Sequence, residues 1–284
     1  MGSGGTILHW DGSNFISTGT ERLSDVIWGT GPNDVWAYTE YGGKAIHWNG
    51  TKLTTYPLNA FHGYGFAGSS ARDMWMPGNE GRLRHFNGST LSEIDTRITN
   101  GDIIGIWGAS PDDVWAVVFS DTQSQANGRM LRRRGTTWQV FPHTFTHELG
   151  KIHGSSADDI WVVGSVGTAE HWDGTTWTVA GTVDQVAPDT VMALQMLSPT
   201  LGFAGTFQGY LYTYDGTGWT PLNDDLRFDN RVLQVLPNTN GNLRLVAAQG
   251  NIHAESEMRG VYRSTDAGAT WTAVQQLPVV NTRK

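Results

Sequence analysis

One motif constrains this chain more than any other: an Asp-Gly or Asn-Gly pair set between aromatic, alternating β runs. His171-Trp172-Asp173-Gly174-Thr175-Thr176-Trp177 is the cleanest copy. An extended run from Gly167 to Trp172 enters the turn, and a second starts at Trp177. The glycine supplies the positive φ that such a turn needs, so the stretch predicts a β-hairpin. The piece recurs at His9-Trp10-Asp11-Gly12, His47-Trp48-Asn49-Gly50 and His85-Phe86-Asn87-Gly88. It recurs again at Arg133-Arg134-Gly135 with Trp138, at Tyr214-Asp215-Gly216 with Trp219, and at Ser264 to Trp271. Seven hairpins, one every 38 to about 50 residues, predict a chain made by repeating one supersecondary unit.

A second motif lies between the hairpins. Ile27-Trp28-Gly29 with Asp34-Val35-Trp36 is one copy. Phe66-Ala67-Gly68 with Asp73-Met74-Trp75, Ile106-Trp107-Gly108 with Asp113-Val114-Trp115, and Ile152-His153-Gly154 with Asp159-Ile160-Trp161 are the others. Faded copies lie near Leu194 to Phe203 and Leu233 to Val246. One unit therefore reads as four short strands, which is the make-up of a propeller blade.

The predicted fold is all-β: a single domain over 1–284, a β-propeller of four-stranded antiparallel blades. The units run over 21–58, 62–96, 102–142, 149–181, 190–223 and 230–276. Residues 1–19 hold only a hairpin, which with 277–284 would form a composite closing blade and so a ring of seven, with six as the alternative.

Ser264-x-Asp266-x-Gly268-x-Thr270-Trp271 matches the Asp-box of the BNR-repeat family letter for letter. The His-Trp-Asp-Gly-x-x-Trp copies look like a shortened relative, with His where the Asp-box has Ser. The whole unit resembles BNR and WD-repeat-like bacterial β-propellers. The resemblance implies a structural role for the box residues and an extracellular or cell-surface location. It implies little about function, because Asp-boxes occur in sialidases, lectin-like propellers, assembly factors and receptors.

Bulk numbers narrow the partners. Net charge is −8, and only 16% of residues are charged, which disfavours binding to a phosphate backbone. The basic run Arg132-Arg133-Arg134 falls on a strand and reads as a solvated face. There is no cysteine, so disulfides and thiolate chemistry are excluded. No apolar run reaches spanning length, so no membrane insertion is expected, and no secretory signal is read at the start. Met1-Gly2-Ser3-Gly4-Gly5 reads either as a tag remnant or as native glycines before a strand. The native protein could hold further domains.

Residues repeated at one strand position read as core or staple. Trp36, Trp75, Trp115 and Trp161 are expected to fill the space between blades. Trp138, Trp177, Trp219 and Trp271 are expected to do the same, the alternative being sugar-stacking platforms. His9, His47, His85 and His171 occur one per unit, too far apart for one ion, and are read as fixing the turn backbone.

Function on a repeated scaffold sits where the repeat is broken. The second-to-third strand loops and the blade crossovers are the varied segments, and they supply the candidate ligand-binding residues. These are Asp121, the group His143, His147 and Glu148, the group Asp225, Arg227, Asp229 and Arg231, and His253 with Glu255. The His143 group offers either zinc-type ligands and an acid/base group or an exposed crossover. The Asp224–Arg231 stretch offers either oxygens for sugar or Ca²⁺, or a self-neutralised surface loop. No catalytic residue is assigned and no cofactor is expected, Ca²⁺ being the one ion that these oxygens would suit.

The leading function is lectin-like binding of carbohydrate or glycoprotein. A glycosidase of the sialidase kind needs three clustered arginines, a Tyr/Glu nucleophile pair and an acid Asp, and none of the arginines sits in such a motif. Carboxylates for another glycosidase mechanism could come from Asp121, Glu148, Asp225 or Glu257, which the sequence does not bring together. The third reading is a protein scaffold or assembly propeller.

Overall fold

The computed structural model describes residues 7–10, 15–19, 26–39, 43–98, 100–119, 128–183, 189–222, 232–237, 243–249, 260–265, 270 and 272–276. Its chain divides into two compact units, residues 1–144 and 145–284.

The first unit opens with an isolated antiparallel pair, β1 (Ile7–Trp10) and β2 (Phe15–Gly19). Three four-stranded sheets follow. One holds β3 (Ile27–Gly31), β4 (Asp34–Thr39), β5 (Lys44–Trp48) and β6 (Leu53–Pro57). The next holds β7 (Ala67–Ser70), β8 (Asp73–Pro77), β9 (Leu83–Phe86) and β10 (Leu91–Ile94). The third holds β11 (Asp102–Ser110), β12 (Asp113–Phe119), β13 (Arg129–Arg134) and β14 (Thr137–Val140).

The second unit repeats the pattern three times. Its first sheet is β15 (Leu149–Ser156), β16 (Asp159–Gly164), β17 (Thr168–Trp172) and β18 (Trp177–Thr182). Its second is β19 (Val191–Ser198), β20 (Leu201–Thr206), β21 (Leu211–Tyr214) and β22 (Trp219–Pro221). Its third is β23 (Val232–Pro237), β24 (Leu243–Gln249), β25 (Gly260–Ser264) and β26 (Thr272–Gln276). Every sheet is a meander in which each strand pairs with its sequence neighbour, as the doubled hairpin motif predicts.

The box turn works through its own side chain. The Oδ1 atoms of Asn49, Asn87, Asp173 and Asp215 accept backbone N–H groups two and three residues on, at 2.7–3.1 Å. The following glycines hold φ between 89° and 94°. This corrects the sequence expectation for the histidines: the turn Asp or Asn fixes the turn backbone, and the histidine is free to bond elsewhere. The box turn also abuts the first-to-second turn of its own sheet. A Cβ on Gly174 would lie 2.6 Å from Asp158 Oδ1, and one on Gly216 would lie 2.9 Å from Thr200. Both turns of each sheet thus share one end, and the second-to-third loop occupies the other.

Packing between sheets follows the repeated tryptophans. Trp36, Trp75, Trp115 and Trp161 are at most 2% exposed. Trp75 packs with Leu83, Ile103, Ile106 and Val114, and Trp161 with Val163, Val191, Met196 and Ala204. Truncating one such ring typically costs roughly 3–5 kcal/mol. The box tryptophans Trp138, Trp177 and Trp219 are buried as well, which leaves no open ring face for a sugar to stack on. Trp271 lies outside the described residues.

Candidate functional site

The residues that carry charge into the core sit at the turn end. In three sheets an Asp at the start of the second strand, a His on the third and a Ser or Thr on the first form one chain. Asp34 Oδ2 accepts from Thr30 Oγ1 at 2.7 Å, and its Oδ1 meets His47 Nε2 at 2.7 Å. Asp73 repeats this with Ser69 at 2.6 Å and His85 at 2.8 Å, and Asp159 with Ser155 and, at 2.8 Å, His171. Each histidine lies over the tryptophan opposite it across the strand pair, with ring centroids 3.9–4.6 Å apart. Trp75 and Trp161 also donate their indole N–H to the same carboxylate at 3.1 Å. For Asp73 and Asp159 burial pushes the carboxyl up, but the bonds from His85 with Ser69, and from His171, Ser155 and Trp161, outweigh it and hold both below the usual carboxylate range.

The sheet β11–β14 rewrites this cluster. Arg132 takes both oxygens of Asp113 at 2.8 Å and lies 4.2 Å over the Trp115 ring. The hydroxyl position is Ala109, since a bidentate guanidinium leaves it nothing to bond. Arg132 is therefore no part of a solvated face, and Arg133 leans on Asp112 at 3.5 Å and over Trp75 at 5.2 Å. The histidines are staples within single sheets, and among the described residues no group of three potential metal ligands converges.

The crossovers are held from the same strands. Arg84 donates to the carbonyls of Pro57 and Leu58, at 3.3 and 2.7 Å. At the matching position of β17, Glu170 is 1% exposed and accepts from Thr146 N–H and Oγ1 at 3.0 and 3.1 Å. Opposite charges do one job, the cation collecting carbonyls and the carboxylate collecting donors.

That segment contains the His143, His147 and Glu148 candidates. His147 Nδ1 meets Thr168 Oγ1 at 2.8 Å, and the Glu148 carbonyl accepts from Ser165 N–H at 3.0 Å. His143 donates its backbone N–H to Phe141 at 2.9 Å. The three thus lie along a strapped crossover. Asp121, Asp225, Arg227, Asp229, Arg231, His253 and Glu255 lie outside the described residues, as do Asp266 and Gly268. Of the Asp-box, Ser264 is buried and Thr270 exposed.

The loop end of the sheets is built differently. In the first unit the loop Asn79-Glu80-Gly81 has left-handed backbone at Glu80 and Gly81, φ 56° and 67°. Asp102, which opens the next sheet, accepts Glu80 N–H at 2.9 Å and Tyr64 O–H at 2.5 Å. Burial, with the bond to Asp102 adding, pushes the Tyr64 phenol up. In the second unit the matching loop is Ser165-Val166-Gly167, with Val166 at φ 57°, ψ 31° and Gly167 at φ 68°. A β-branched residue there is strained by roughly 1–2 kcal/mol. Gly167 N–H donates to the Asp189 carbonyl at 2.7 Å, and Phe207 N–H to the Thr190 carbonyl at 2.9 Å. Asp189 Oδ2 accepts Gln208 N–H at 2.6 Å. Two second-to-third loops are thereby tied to one dipeptide, and their apolar tips, Val166 and Phe207, are 48% and 55% exposed. Sequence reasoning missed both. The signal was an apolar residue where a turn end favours Gly, Asn or a charge.

The sequence matches no family model and no curated protein. The fold does match solved structures. "YCF48 bound to D1 peptide" aligns at TM-score 0.60 and 13% identity, over 90% of this chain and 82% of that one. Virginiamycin B lyase from Staphylococcus aureus aligns at 0.62 and 11%, over 86% and 92%. The WD40 β-propeller domain of Doa1 aligns at 0.65 and 11%, over 93% and 85%. The fold is a β-propeller. At these identities the likeness concerns the fold alone.

Proposed function

We propose that this chain is a binding propeller that grips an extended protein segment with its second-to-third loops. The observation that carries the reading is the loop pair of the second unit. Val166 keeps a strained backbone while its side chain faces solvent, and Phe207 stands exposed on the tied neighbouring loop. A strained backbone that presents a half-exposed apolar side chain is a feature that contact surfaces retain. A propeller of similar fold, YCF48, has a peptide bound. We assign seven blades, the six four-stranded sheets plus a closing blade built on β1–β2, and an extracytoplasmic location.

Selection of a random peptide-display library on the purified chain tests this, beside a glycan array run with and without Ca²⁺. Peptides whose capture is lost with Phe207→Ser support it. An empty selection with a positive, chelator-sensitive array overturns it in favour of carbohydrate binding through the Asp225–Arg231 stretch.

A further inference from the structure

The chemistry of the partner can be read from what surrounds the loop pair. The carbonyls that hold the two loops belong to consecutive residues, Asp189 and Thr190. Consecutive Cα atoms are only about 3.8 Å apart, so the loops bearing Val166 and Phe207 are neighbours on one rim. Backbone geometry does not require the valine, because Glu80 holds the same left-handed φ, 56° against 57°, in the first unit with a polar side chain. Its apolar character is therefore a property of the surface rather than of the turn.

Just below this rim lies Lys151. Along β15, Leu149 pairs with Gly164, the residue before the Ser165 turn, and Lys151 pairs with Val163. Cross-strand partners share a face, so Lys151 lies on the side of Val163, which packs with Val191 and Ala204 of the next sheet. Gly150 fits against that sheet, where an added Cβ would lie 3.2 Å from the Val191 carbonyl, one residue past Thr190. The lysine is half-buried in these apolar surroundings, and burial pushes its ammonium down. Among the described residues no carboxylate or hydrogen-bond acceptor pairs with it. The carboxylate at the rim, Asp189, is already occupied by the N–H groups of Gln208 and Thr190 at 2.6 and 2.7 Å. A half-desolvated cation without a counter-ion, beside two exposed apolar side chains, complements a ligand that brings its own carboxylate next to an apolar group.

We propose that the segment recognised here is acidic and apolar: an extended stretch with a Leu, Ile or Phe set between Asp or Glu residues. The apolar side chain rests on Val166 and Phe207, and a carboxylate supplies the missing counter-ion of Lys151. This rests on the protein-binding reading above and specifies its ligand.

The test uses the full chain and a fluorescein-labelled peptide of alternating Asp and Leu, with a Lys-for-Asp counterpart of the same length. Fluorescence polarisation should show binding of the acidic peptide, weakened at least tenfold by Phe207→Ser and by Lys151→Met, and reduced by salt. Val166→Ser should weaken it several-fold. Thermal melts confirm that each variant is folded, and Lys151→Met keeps an apolar stem of similar length. Equal binding by the basic peptide, or binding indifferent to Lys151→Met, overturns the inference. The display selection separates the two readings. Enriched peptides without acidic residues that still need Phe207 leave the protein-binding function standing and remove the acidic specificity. No enrichment at all removes both.

Discussion

The two ends of each sheet obey different rules. At the turn end the polar groups are turned inward and bond to one another: Asp159 with Ser155, His171 and Trp161 uses up every partner it has. At the loop end of the same sheet Val166 bonds to nothing through its side chain and faces solvent under backbone strain. The turn end is repeated because closing a sheet is the same problem each time. On the proposed reading, the loop end departs from the repeat because what it meets differs.

The neighbouring sheet β19–β22 shows that the turn-end cluster is a staple. Leu201, Phe203 and Thr213 replace the Asp, Trp and His, and the strands pair in the same register. The largest effect expected is therefore on stability. Asp159→Ala leaves buried donors without an acceptor and should cost about 3 kcal/mol in urea unfolding, with peptide binding unchanged. Ser155→Leu/Asp159→Leu/His171→Thr, which copies the neighbour at three positions, should cost less, about 1–2 kcal/mol, because only the Trp161 indole N–H is left without its acceptor. If the triple variant falls as far as the single one, the cluster does more than staple.

A glycine exchange sharpens the same contrast. A Cβ at Gly68 would lie 2.1 Å from the Asp73 carbonyl oxygen, whereas one at Gly202 would meet Met196 Sδ at 2.3 Å. Met196 stands where β3, β7, β11 and β15 have glycine, so the small residue has moved from the first strand to the second. Backbone cannot yield and a methionine end can. Gly68→Ala should cost about 3 kcal/mol and Gly202→Ala about 1 kcal/mol by the same unfolding measurement.

Much of this was legible before any coordinates. The Asp-Gly boxes and the Gly…Asp-x-Trp pairs carry their own turn chemistry, so strand order and the antiparallel meander follow from local spacing alone. The cross-sheet partners did not follow. His47 and Asp34 are thirteen residues apart and meet only because the register sets His47 opposite Trp36. The substitution of Ala109 with Arg132 was a readable hint, since both departures from the repeat fall in one unit. Glu170 and Arg84 were unreadable, because a single charge in a β run has no periodic marker. Lys151 and Phe207 acquire meaning only from the neighbouring sheet. The site candidates chosen for clustered charge fell mostly outside the described residues, or, at His143 to Glu148, on a crossover strapped to β17.

Between the two ends sits His153, and it should give stability a pH dependence. Its Nδ1 accepts Met196 N–H at 3.1 Å, joining β15 to β19 in the neutral form. Burial, partly opposed by the Asp159 charge, pushes its pKa down from 6.5 to about 4. A depressed value means that the neutral form is favoured by folding. The contribution is complete above 6.5 and is lost as pH falls towards 4, on the order of 3 kcal/mol. Asp73 and Asp159 add a second fall, below the ordinary carboxylate value of 3.8, as pH drops through their lower folded values. Unfolding curves from pH 7 to 3 should therefore show two falls, and His153→Gln should remove the first alone. A first fall that survives that substitution would assign it elsewhere.

The smallest effect separates the two ends most sharply. Val166→Gly relieves the left-handed strain while removing only a half-exposed side chain, so it should stabilise the chain by about 1 kcal/mol. The gain will be partly offset by the greater freedom of glycine in the unfolded chain. If the loop end is a contact surface, the same variant must bind the acidic peptide less tightly, giving opposite signs for stability and affinity. Substitutions at Asp159 predict the other pattern, a loss of stability with affinity intact. A Val166→Gly protein that is more stable and binds equally well would show that the strain serves no partner, and would place the contact on Phe207 alone.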